Sequence, residues 1–379
     1  MMKDRRIKQI ALQYAIGKRW FPQLELLVYS TKSVSKKPFD ITDIDVYAAA
    51  PDDFSGYRSI LFDCKSGNNE SPVKRALWLN GLISHFHADR GICIFNDEKN
   101  ISLDHRETAI DLNISLMTAA EFNLFAQATD IQLFNDSSNL GDIDKWDKLF
   151  QIPQKYKTLE SAISYSTGKF WTYSHVGDAC RNTIAILKTL RGELDPAKKE
   201  HMVVFGDMLA LFLFATAQVS NRLFKAYLHP SSRQDLDLVL LQYIYGGREA
   251  YSLAKQLRTA ITHKGETSAS TPELTLPEWD LFANLLRSML DSPMQALHTP
   301  LLAREIAWSL FDDTPSLLFA SQLANSRRQT GKFCMLATRY LVAAAKLPPE
   351  FAEKYQDLFL SVQSAPSSKN DPQPKLPNI

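Results

Sequence analysis

Two carboxylates and a lysine stand at the ends of predicted strands in the first part of the sequence. In RSILFDCK, Asp63 and Lys65 flank Cys64, and they project from one face because side chains alternate along a strand. Earlier in the chain, TDIDV places Asp43 and Asp45 on one face of another predicted strand. Carboxylates are ligands for Mg²⁺, and a lysine can neutralise charge developing on a phosphodiester. The pattern predicts metal-assisted phosphodiester hydrolysis, with the Cys64 side chain buried on the opposite face.

The elements that must position these residues are four predicted strands and two predicted helices. Residues 4–15 have helical spacing of apolar residues, and strands are predicted in LELLVYS, ITDIDVYAAA, YRSILFDCK and RGICIF. Between the last two strands, SPVKRALWLNGLISHFHA begins with Ser-Pro, which suits the first positions of a helix. The predicted order is α-β-β-β-α-β, followed by a helical segment over residues 104–128. The fold class is therefore α+β or α/β, with a small mixed sheet flanked by helices.

An aspartate and a D-x-K motif on the second and third strands of such a unit resemble the PD-(D/E)XK nuclease superfamily. That group includes restriction endonucleases, Holliday-junction resolvases and Mrr-like enzymes. The resemblance covers about residues 1–130 and implies a restriction-endonuclease-like fold. It implies Asp45 and Asp63 as metal ligands and Lys65 as the catalytic lysine, with Mg²⁺ as the cofactor and Mn²⁺ as a substitute.

Members of this superfamily usually add an acidic residue from the first helix or the first strand. Glu25 in QLELLV is the first candidate for this third ligand, and Asp4 and Asp43 are the alternatives. The helix after the catalytic strand tends to lie beside the active site in this superfamily, so Arg75 is a candidate for phosphate contact. The predicted loop after the first strand is basic and is a second candidate for backbone contact, through Lys32, Lys36 and Lys37.

Bulk composition sets wide limits on the class of protein. The 379 residues carry a formal net charge of +1, so any nucleic-acid surface must be local. The four cysteines form no CxxC pair, which favours a reducing cytoplasm over a disulfide framework. The most apolar segment, residues 202–219, contains Asp207 and is predicted to be a buried core helix rather than a membrane span. We therefore expect a soluble, cytoplasmic protein.

Three regions are predicted: a nuclease-like domain at residues 1–140, an all-helical domain at 141–362 and a disordered tail at 363–379. In the helical domain, Asp207 should pair with a basic residue of a neighbouring helix, because a buried carboxylate needs a partner. Gly246 and Gly247 predict a kink or a turn. The chain contains no phosphate-binding glycine motif, so any NTP-driven step would need an NTPase supplied separately.

The leading hypothesis from the sequence is a Mg²⁺-dependent deoxyribonuclease that acts in genome defence against phage or in DNA processing. Its helical domain would control substrate access or dock a protein partner, and a homo-oligomer would allow both strands to be cut. The alternative is a nuclease-fold binding or scaffolding subunit without autonomous cleavage. RNA as the substrate is a third, weaker option. The sequence leaves specificity, oligomeric state and the role of residues 150–360 open.

Overall fold

The structure is a computed structural model that describes residues 2–29, 40–67, 70–129, 138–226, 232–262 and 274–364. The basic loop with Lys32, Lys36 and Lys37 lies outside these residues, and so does the predicted tail from residue 365 onward. Within the described residues, the first part of the chain forms a mixed sheet with helices and the rest is mostly helical. The predicted mixture of elements is thereby confirmed, whereas the boundary at residue 140 stays a prediction.

Five strands lie side by side in chain order. They are β1 (Phe21–Tyr29), β2 (Asp40–Asp52), β3 (Gly56–Lys65), β4 (Arg90–Phe95) and β5 (Ile114–Thr118). The first three pair antiparallel and the last three pair parallel. Parallel neighbours need crossover connections, and the helices α2 (Pro72–Phe86) and α3 (Leu103–Ile110) provide them. The predicted order α-β-β-β-α-β is therefore correct as far as β4.

The fifth strand corrects the prediction of one helical segment over residues 104–128. That segment contains α3, β5 and α4 (Ala119–Ala128). The break follows α3 at Asn113, whose φ of 58° is in the left-handed region that asparagine tolerates better than most residues. A new helix then begins at Thr118, where Thr118 and Glu121 form a capping box. These two signals were in the sequence, but the leucine and alanine residues on either side favour a helix. The short strand was therefore not predicted.

Helices cover both faces of the sheet. On one face α1 (Arg5–Gly17) packs with α4, and the ring of Phe122 lies 5.1 Å from that of Tyr14 and 6.3 Å from that of Phe62 in β3. On the other face lies α2, which starts at its Ser71 cap as predicted. A β-carbon at Gly91 would lie 2.7 Å from Leu79, so the glycine in β4 allows α2 to approach the sheet closely.

The remainder of the described chain consists of helices and two short 3-10 turns, Lys157–Leu159 and Lys169–Thr172. The helices are α5 (Ile143–Lys155), α6 (Glu160–Thr167), α7 (Val176–Thr189), α8 (Lys199–Ala226), α9 (Arg233–Ile244), α10 (Arg248–Thr262), α11 (Trp279–Leu290), α12 (Pro293–Ala296), α13 (Thr299–Ser309), α14 (Leu318–Ser326), α15 (Gln329–Ala345) and α16 (Glu350–Ser364). The turn predicted at Gly246 and Gly247 separates α9 from α10.

Helix α8 is the centre of the helical part. It is the one described helix long and apolar enough, by length and composition alone, to cross a membrane, and 94% of its apolar window is buried inside the protein. Asp207 within it forms an ion pair of 2.7 Å with Arg304 of α13, and both side chains are almost completely buried. The predicted pairing of Asp207 with a basic residue of a neighbouring helix is confirmed.

The helical part packs directly on the sheet. The ring of Tyr57 in β3 stacks on Phe214 of α8 with centroids 4.3 Å apart, and its hydroxyl donates to the Leu297 carbonyl at 2.7 Å. Arg304 also donates to the carbonyl of Pro22 in β1 at 2.6 Å, and its guanidinium lies 4.2 Å from the centroid of the Phe21 ring. These contacts give the sheet a fixed neighbour on the face that carries Tyr47 and Tyr57.

Candidate active site

The two predicted metal-binding aspartates meet where β2 and β3 separate. The ladder between these strands ends at the pair Val46 and Phe62, and Asp45 and Asp63 are the next residues. Beyond that point the Asp45 carboxylate accepts the backbone N–H of Cys64 through Oδ2 at 2.7 Å. The Cys64 side chain is completely buried, as expected from its opposite orientation. The fork between the strands is therefore filled by a carboxylate rather than by continued backbone pairing.

Lys65 brings these two carboxylates together. Its ammonium nitrogen lies 3.3 Å from Oδ1 of Asp63 and 3.4 Å from Oδ2 of Asp45. The structure thus places Asp63 and Lys65 on one face, as the D-x-K spacing predicts. Asp45 and Asp63 are buried, with 6% and 1% residue exposure, whereas the Lys65 side chain keeps 21% of its surface exposed. Lys65 is the member of this trio that solvent or a substrate reaches most easily.

A second lysine, Lys8 of α1, was not found by sequence reasoning. Its ammonium nitrogen lies 2.8 Å from Oδ1 of Asp45 and also donates to the Glu25 carboxylate, and the residue is 2% exposed. One signal was available, because Lys8 shares a helix face with the buried residues Ala11 and Ala15. A charged residue within an apolar stripe needs a buried partner, and the partner here is the active-site aspartate.

Glu25, the first candidate for the third acid, does reach the cluster, but through an irregular backbone. Its φ of 50° is left-handed, although its neighbours Leu24 and Leu26 pair regularly with Val46 and Ile44 of β2. Burial raises the pKa of Glu25 despite the hydrogen bond from Lys8. The regular pairing on either side holds Glu25 in this strained conformation, which places its carboxylate beside Asp45.

The other two acidic candidates have different surroundings. Asp43 is exposed and lies near Glu25 and Asp45. Asp4 precedes α1 with a φ of 53° and does not cap that helix through its side chain. Instead its carboxylate accepts the Ser66 N–H at 2.8 Å and the Ser66 hydroxyl. Burial raises the pKa of Asp4, but these hydrogen bonds and the nearby lysines outweigh it and lower the pKa overall. Asp4 ties the start of α1 to the residue after Lys65.

Arg75 of α2, predicted as a phosphate contact, binds Asp63. Its Nε donates to Oδ2 at 2.8 Å and its Nη2 donates to Oδ1, which is the two-pronged geometry of a strong arginine–carboxylate pair. The guanidinium also lies 4.0 Å from the centroid of the Trp78 ring, and Glu70 is 3.6 Å away. Arg75 therefore orients Asp63, and its contact with nucleic acid stays a prediction.

The more buried carboxylates of the cluster are each paired with cations. Three carboxylates, Glu25, Asp45 and Asp63, face three cations, and these are Lys8, Lys65 and Arg75. Burial raises the pKa of Asp63 and outweighs the opposing effect of Arg75 and Lys65. Burial lowers the pKa of Lys65, but Asp63 and Asp45 outweigh it and raise that pKa overall.

The raised pKa of Lys65 limits its chemistry. At neutral pH the side chain is an ammonium ion, so it acts as a charge and a hydrogen-bond donor and not as a general base. Asp45 and Asp63 hold it from two sides at similar distances, which fixes the position of that charge. A fixed ammonium at the rim of a buried carboxylate pair is suited to stabilising negative charge on a substrate oxygen.

The donor set fits a hard divalent cation in type. Glu25, Asp43 and Asp45 can each offer one carboxylate oxygen, with all three oxygens within 4.8 Å of one another. Asp63 is not a member of this group, and both of its oxygens accept hydrogen bonds from Arg75. Of the predicted ligands, the structure thus groups Asp45 with Glu25, adds Asp43, and leaves Asp63 with the arginine.

The helical part reaches the same face of the sheet close to these residues. Tyr47, two residues after Asp45, lies 4.8 Å from Trp171 between ring centroids and shares a hydrogen bond of 2.9 Å with the hydroxyl of Ser59. Together with Phe214 these side chains line a cavity of about 150 Å³. The aromatic cavity therefore begins next to the carboxylates along β2 and β3.

The segment SHFHADRG spans the end of α2 and the start of β4. His87 ends α2 in the left-handed conformation, with a φ of 50°. Asp89 accepts the Ser59 N–H at 2.7 Å, so it belongs to the backbone of β3. The segment therefore serves as a helix end and as an anchor for β3.

Comparison with known proteins returns no relative: no family model, no curated protein and no solved structure matches this chain. The function is therefore argued from the site alone.

Proposed function

We propose that the protein is a metal-dependent nuclease of the PD-(D/E)XK type that hydrolyses DNA phosphodiester bonds. The observation that carries the proposal is the position of Lys65, which lies within 3.4 Å of both Asp45 and Asp63 where β2 and β3 separate. Asp63 and Lys65 lie on one face at the end of β3, and the Lys65 ammonium contacts both carboxylates. The proposed mechanism requires this arrangement. A surface ion pair would not bury both carboxylates.

Each residue has a defined part in this proposal. Asp45 holds a divalent cation together with Glu25 and Asp43, and Lys65 stabilises negative charge on a phosphoryl oxygen. Asp63 fixes Lys65 and Arg75, so it positions the charge rather than contacting the substrate. A bound Mg²⁺ supplies Lewis-acid polarisation of the phosphate and a lowered pKa for its coordinated water.

The remaining parts of the proposal come from the resemblance. DNA is the substrate, cleavage takes place in the cytoplasm, and the activity serves genome defence or DNA processing. The helical part packs beside the carboxylates and is the region through which a protein partner, such as a separate NTPase, would control access. A second copy of the chain would allow both strands of a duplex to be cut.

One observation favours the second candidate, a nuclease-fold subunit that binds without cutting. Glu25, Asp45 and Asp63 are each already held by a protein cation, and Arg75 occupies both oxygens of Asp63. Such a cluster can be kept for its structural value alone. A competent metal site and a structural ion cluster differ in whether Mg²⁺ or Mn²⁺ stabilises the folded chain, because only specific binding shifts unfolding by mass action.

The test uses the full chain with Lys65→Gln, Asp45→Asn and the matched control Lys74→Gln, an exposed lysine of α2. Supercoiled, linear, single-stranded and branched DNA and an RNA are incubated with each protein in Mg²⁺, Mn²⁺ or EDTA. We expect metal-dependent DNA cutting by the wild type and the control, and a loss of about 100-fold or more in Lys65→Gln. Cutting that survives in both site variants would contradict the proposal.

A parallel thermal-unfolding series separates the two candidates. We expect Mn²⁺ and Mg²⁺ to raise the melting temperature of the wild type and of Lys74→Gln, and to leave Asp45→Asn unchanged. A chain that neither cuts nor gains stability from either ion would support the binding subunit instead.

A further inference from the structure

A cavity in the helical part has a composition unlike that of the carboxylate cluster. It lies between α7, α8, α9 and α10, and its volume is about 290 Å³. That volume is near the lower end of the range of small-molecule sites, about 300–1,000 Å³. The turn of Gly246 and Gly247 has no function assigned from the sequence, and it forms one rim of the cavity. No part of the proposed nuclease mechanism uses this cavity.

The charged residues that line the cavity are all basic or protonatable. They are His175, Arg222 and Arg248, and among the residues that the structure describes no carboxylate lines the cavity. Neither arginine has an ion-pair or hydrogen-bond partner among the residues that the structure describes. The neighbouring Arg181, by contrast, pairs with Asp178. Two unpartnered guanidinium groups at one concave surface create a local positive potential in a chain of net charge +1.

The backbone adds to this potential. Gly246 and Gly247 have φ values of 86° and 112°, and their N–H groups close α9 by donating to Tyr243 and Gln242 carbonyls. The chain can then start α10 directly at Arg248. A cation at a helix N-terminus has the sign opposite to the one that the helix dipole favours. A bound anion would relieve the repulsion of Arg248 from that dipole and from Arg222.

The rest of the lining is mostly apolar apart from Gln242, and it includes the aromatic ring of Tyr243. Val176, Val219 and Val239 form a wall, and Tyr243 lies beside them. An inorganic anion would leave this wall unused, whereas a ligand with a ring and a charged end would contact both parts. A phosphate bound by two arginines and a base packed against a tyrosine and valines is the chemistry of a nucleotide.

We propose that this cavity binds a free mononucleotide, with its phosphate on Arg222 and Arg248 and its base against Tyr243 and the valine wall. The site is independent of DNA cleavage, since it shares no residue with the carboxylate cluster. Val176 of α7 lines both this cavity and the aromatic cavity beside Tyr47. A nucleotide bound here would therefore contact α7, the helix that reaches both cavities.

The test is calorimetric titration of the full chain with AMP, ATP, adenosine, inorganic phosphate and a single-stranded oligonucleotide. We expect AMP or ATP to bind at least about tenfold more tightly than adenosine or phosphate alone. Arg222→Gln combined with Arg248→Gln should weaken nucleotide binding at least about tenfold, because both phosphate partners are lost. Tyr243→Leu should weaken nucleotide binding and leave phosphate binding unchanged.

The control is Arg287→Gln, an exposed arginine of α11 that does not line the cavity, which should bind as the wild type does. The double arginine variant should fold normally, since both side chains are exposed and unpartnered. The proposal is overturned if neither nucleotide binds, if the double variant binds as tightly as the wild type, or if only the oligonucleotide binds. None of these outcomes depends on whether the protein cuts DNA.

Discussion

The carboxylate of Asp45 accepts the backbone N–H of Cys64 at 2.7 Å, beyond the last backbone pair between β2 and β3. One side chain thus closes the sheet at the point where two strands part, and its other oxygen faces Lys8. The same carboxylate is therefore both a structural acceptor and the centre of the candidate active site. The two roles can be separated by comparing a replacement that keeps a hydrogen-bond acceptor at this position with one that removes it.

Asp45→Asn and Asp45→Ala should differ in stability and agree in activity. Asparagine keeps an oxygen for the Cys64 N–H, whereas alanine leaves that buried donor without a partner, at a cost of about 1–3 kcal/mol. Both remove the negative charge, so both should abolish metal-dependent cleavage. Urea unfolding and a plasmid-cleavage assay measure the two effects. Equal stability of the two variants would show that the hydrogen bond at the fork contributes little.

The two lysines of the cluster should differ in whether their loss mainly affects stability or mainly affects cleavage. Lys8→Met leaves Glu25 and Asp45 close together in a buried site, and we expect a loss of about 3–5 kcal/mol in unfolding free energy. Lys65 is more exposed, so Lys65→Met should cost less stability and reduce cleavage more. Chemical denaturation and initial cleavage rates of folded protein distinguish the two. A reversed order of stability would argue that Lys65 is the structural lysine.

Asp63 and Arg75 should behave as one unit. Asp63→Asn leaves the half-buried Arg75 without its carboxylate and Arg75→Gln leaves the buried Asp63 under-satisfied, while the double variant removes both charges. We expect the double variant to be more stable than the sum of the single losses implies, with a coupling energy of about 1–3 kcal/mol. Unfolding of all four proteins at one pH gives this value. A coupling near zero would show that the contact makes no net contribution to stability.

The sequence predicted the strands around the site well because the signals there are local. Alternation put Asp63 and Lys65 on one face, and apolar runs on both sides marked the strand. The contacts of Lys8 and Arg75 could not be predicted in the same way. Both lie on helices whose approach to the sheet depends on tertiary packing, such as that of Leu79 on Gly91. Spacing along the chain carries no information on which helix residue meets which strand residue.

The helical part illustrates the same limit. The buried Asp207 required a basic partner, which is a statement about burial, and the structure provides Arg304. The identity of that partner, almost a hundred residues later, depends on how α8 and α13 pack. The short strand β5 was missed because its flanks favour helix. The left-handed Asn113 and the Thr118 capping box that delimit it are weaker signals.

The Asp207 and Arg304 pair should be essential to the packing of the helical part on β1. Asp207→Asn leaves a fully buried guanidinium without its counter-ion, and we expect a loss of about 3–5 kcal/mol. Asp207→Leu combined with Arg304→Met removes both charges and should be less harmful than the sum of its single variants. Thermal and urea unfolding test this. If Asp207→Asn unfolds as the wild type does, the pair contributes nothing to stability.

His298, next to α13, should make stability depend on pH between about 6.5 and 4. Burial first, and then the nearby Arg327 and Arg19, lower its pKa to about 4. The folded protein therefore binds fewer protons than the unfolded chain, so the contribution is present above pH 6.5 and is lost as the pH falls towards 4. The loss should reach at most about 3.5 kcal/mol, since the pKa difference is about 2.5 units and each unit corresponds to about 1.4 kcal/mol. Partial exposure of the ring reduces this value.

The measurement is the free energy of unfolding at several pH values for the wild type and for His298→Gln. Glutamine cannot bind the proton, so its curve should be flatter between pH 6.5 and 4, and the gap between the two proteins should change with pH. Arg19→Gln removes one of the cations that oppose protonation, so the folded-state pKa of His298 should rise and the loss of stability between pH 6.5 and 4 should become smaller. Parallel curves for the wild type and His298→Gln across this window would mean that the imidazole has the same proton affinity folded and unfolded.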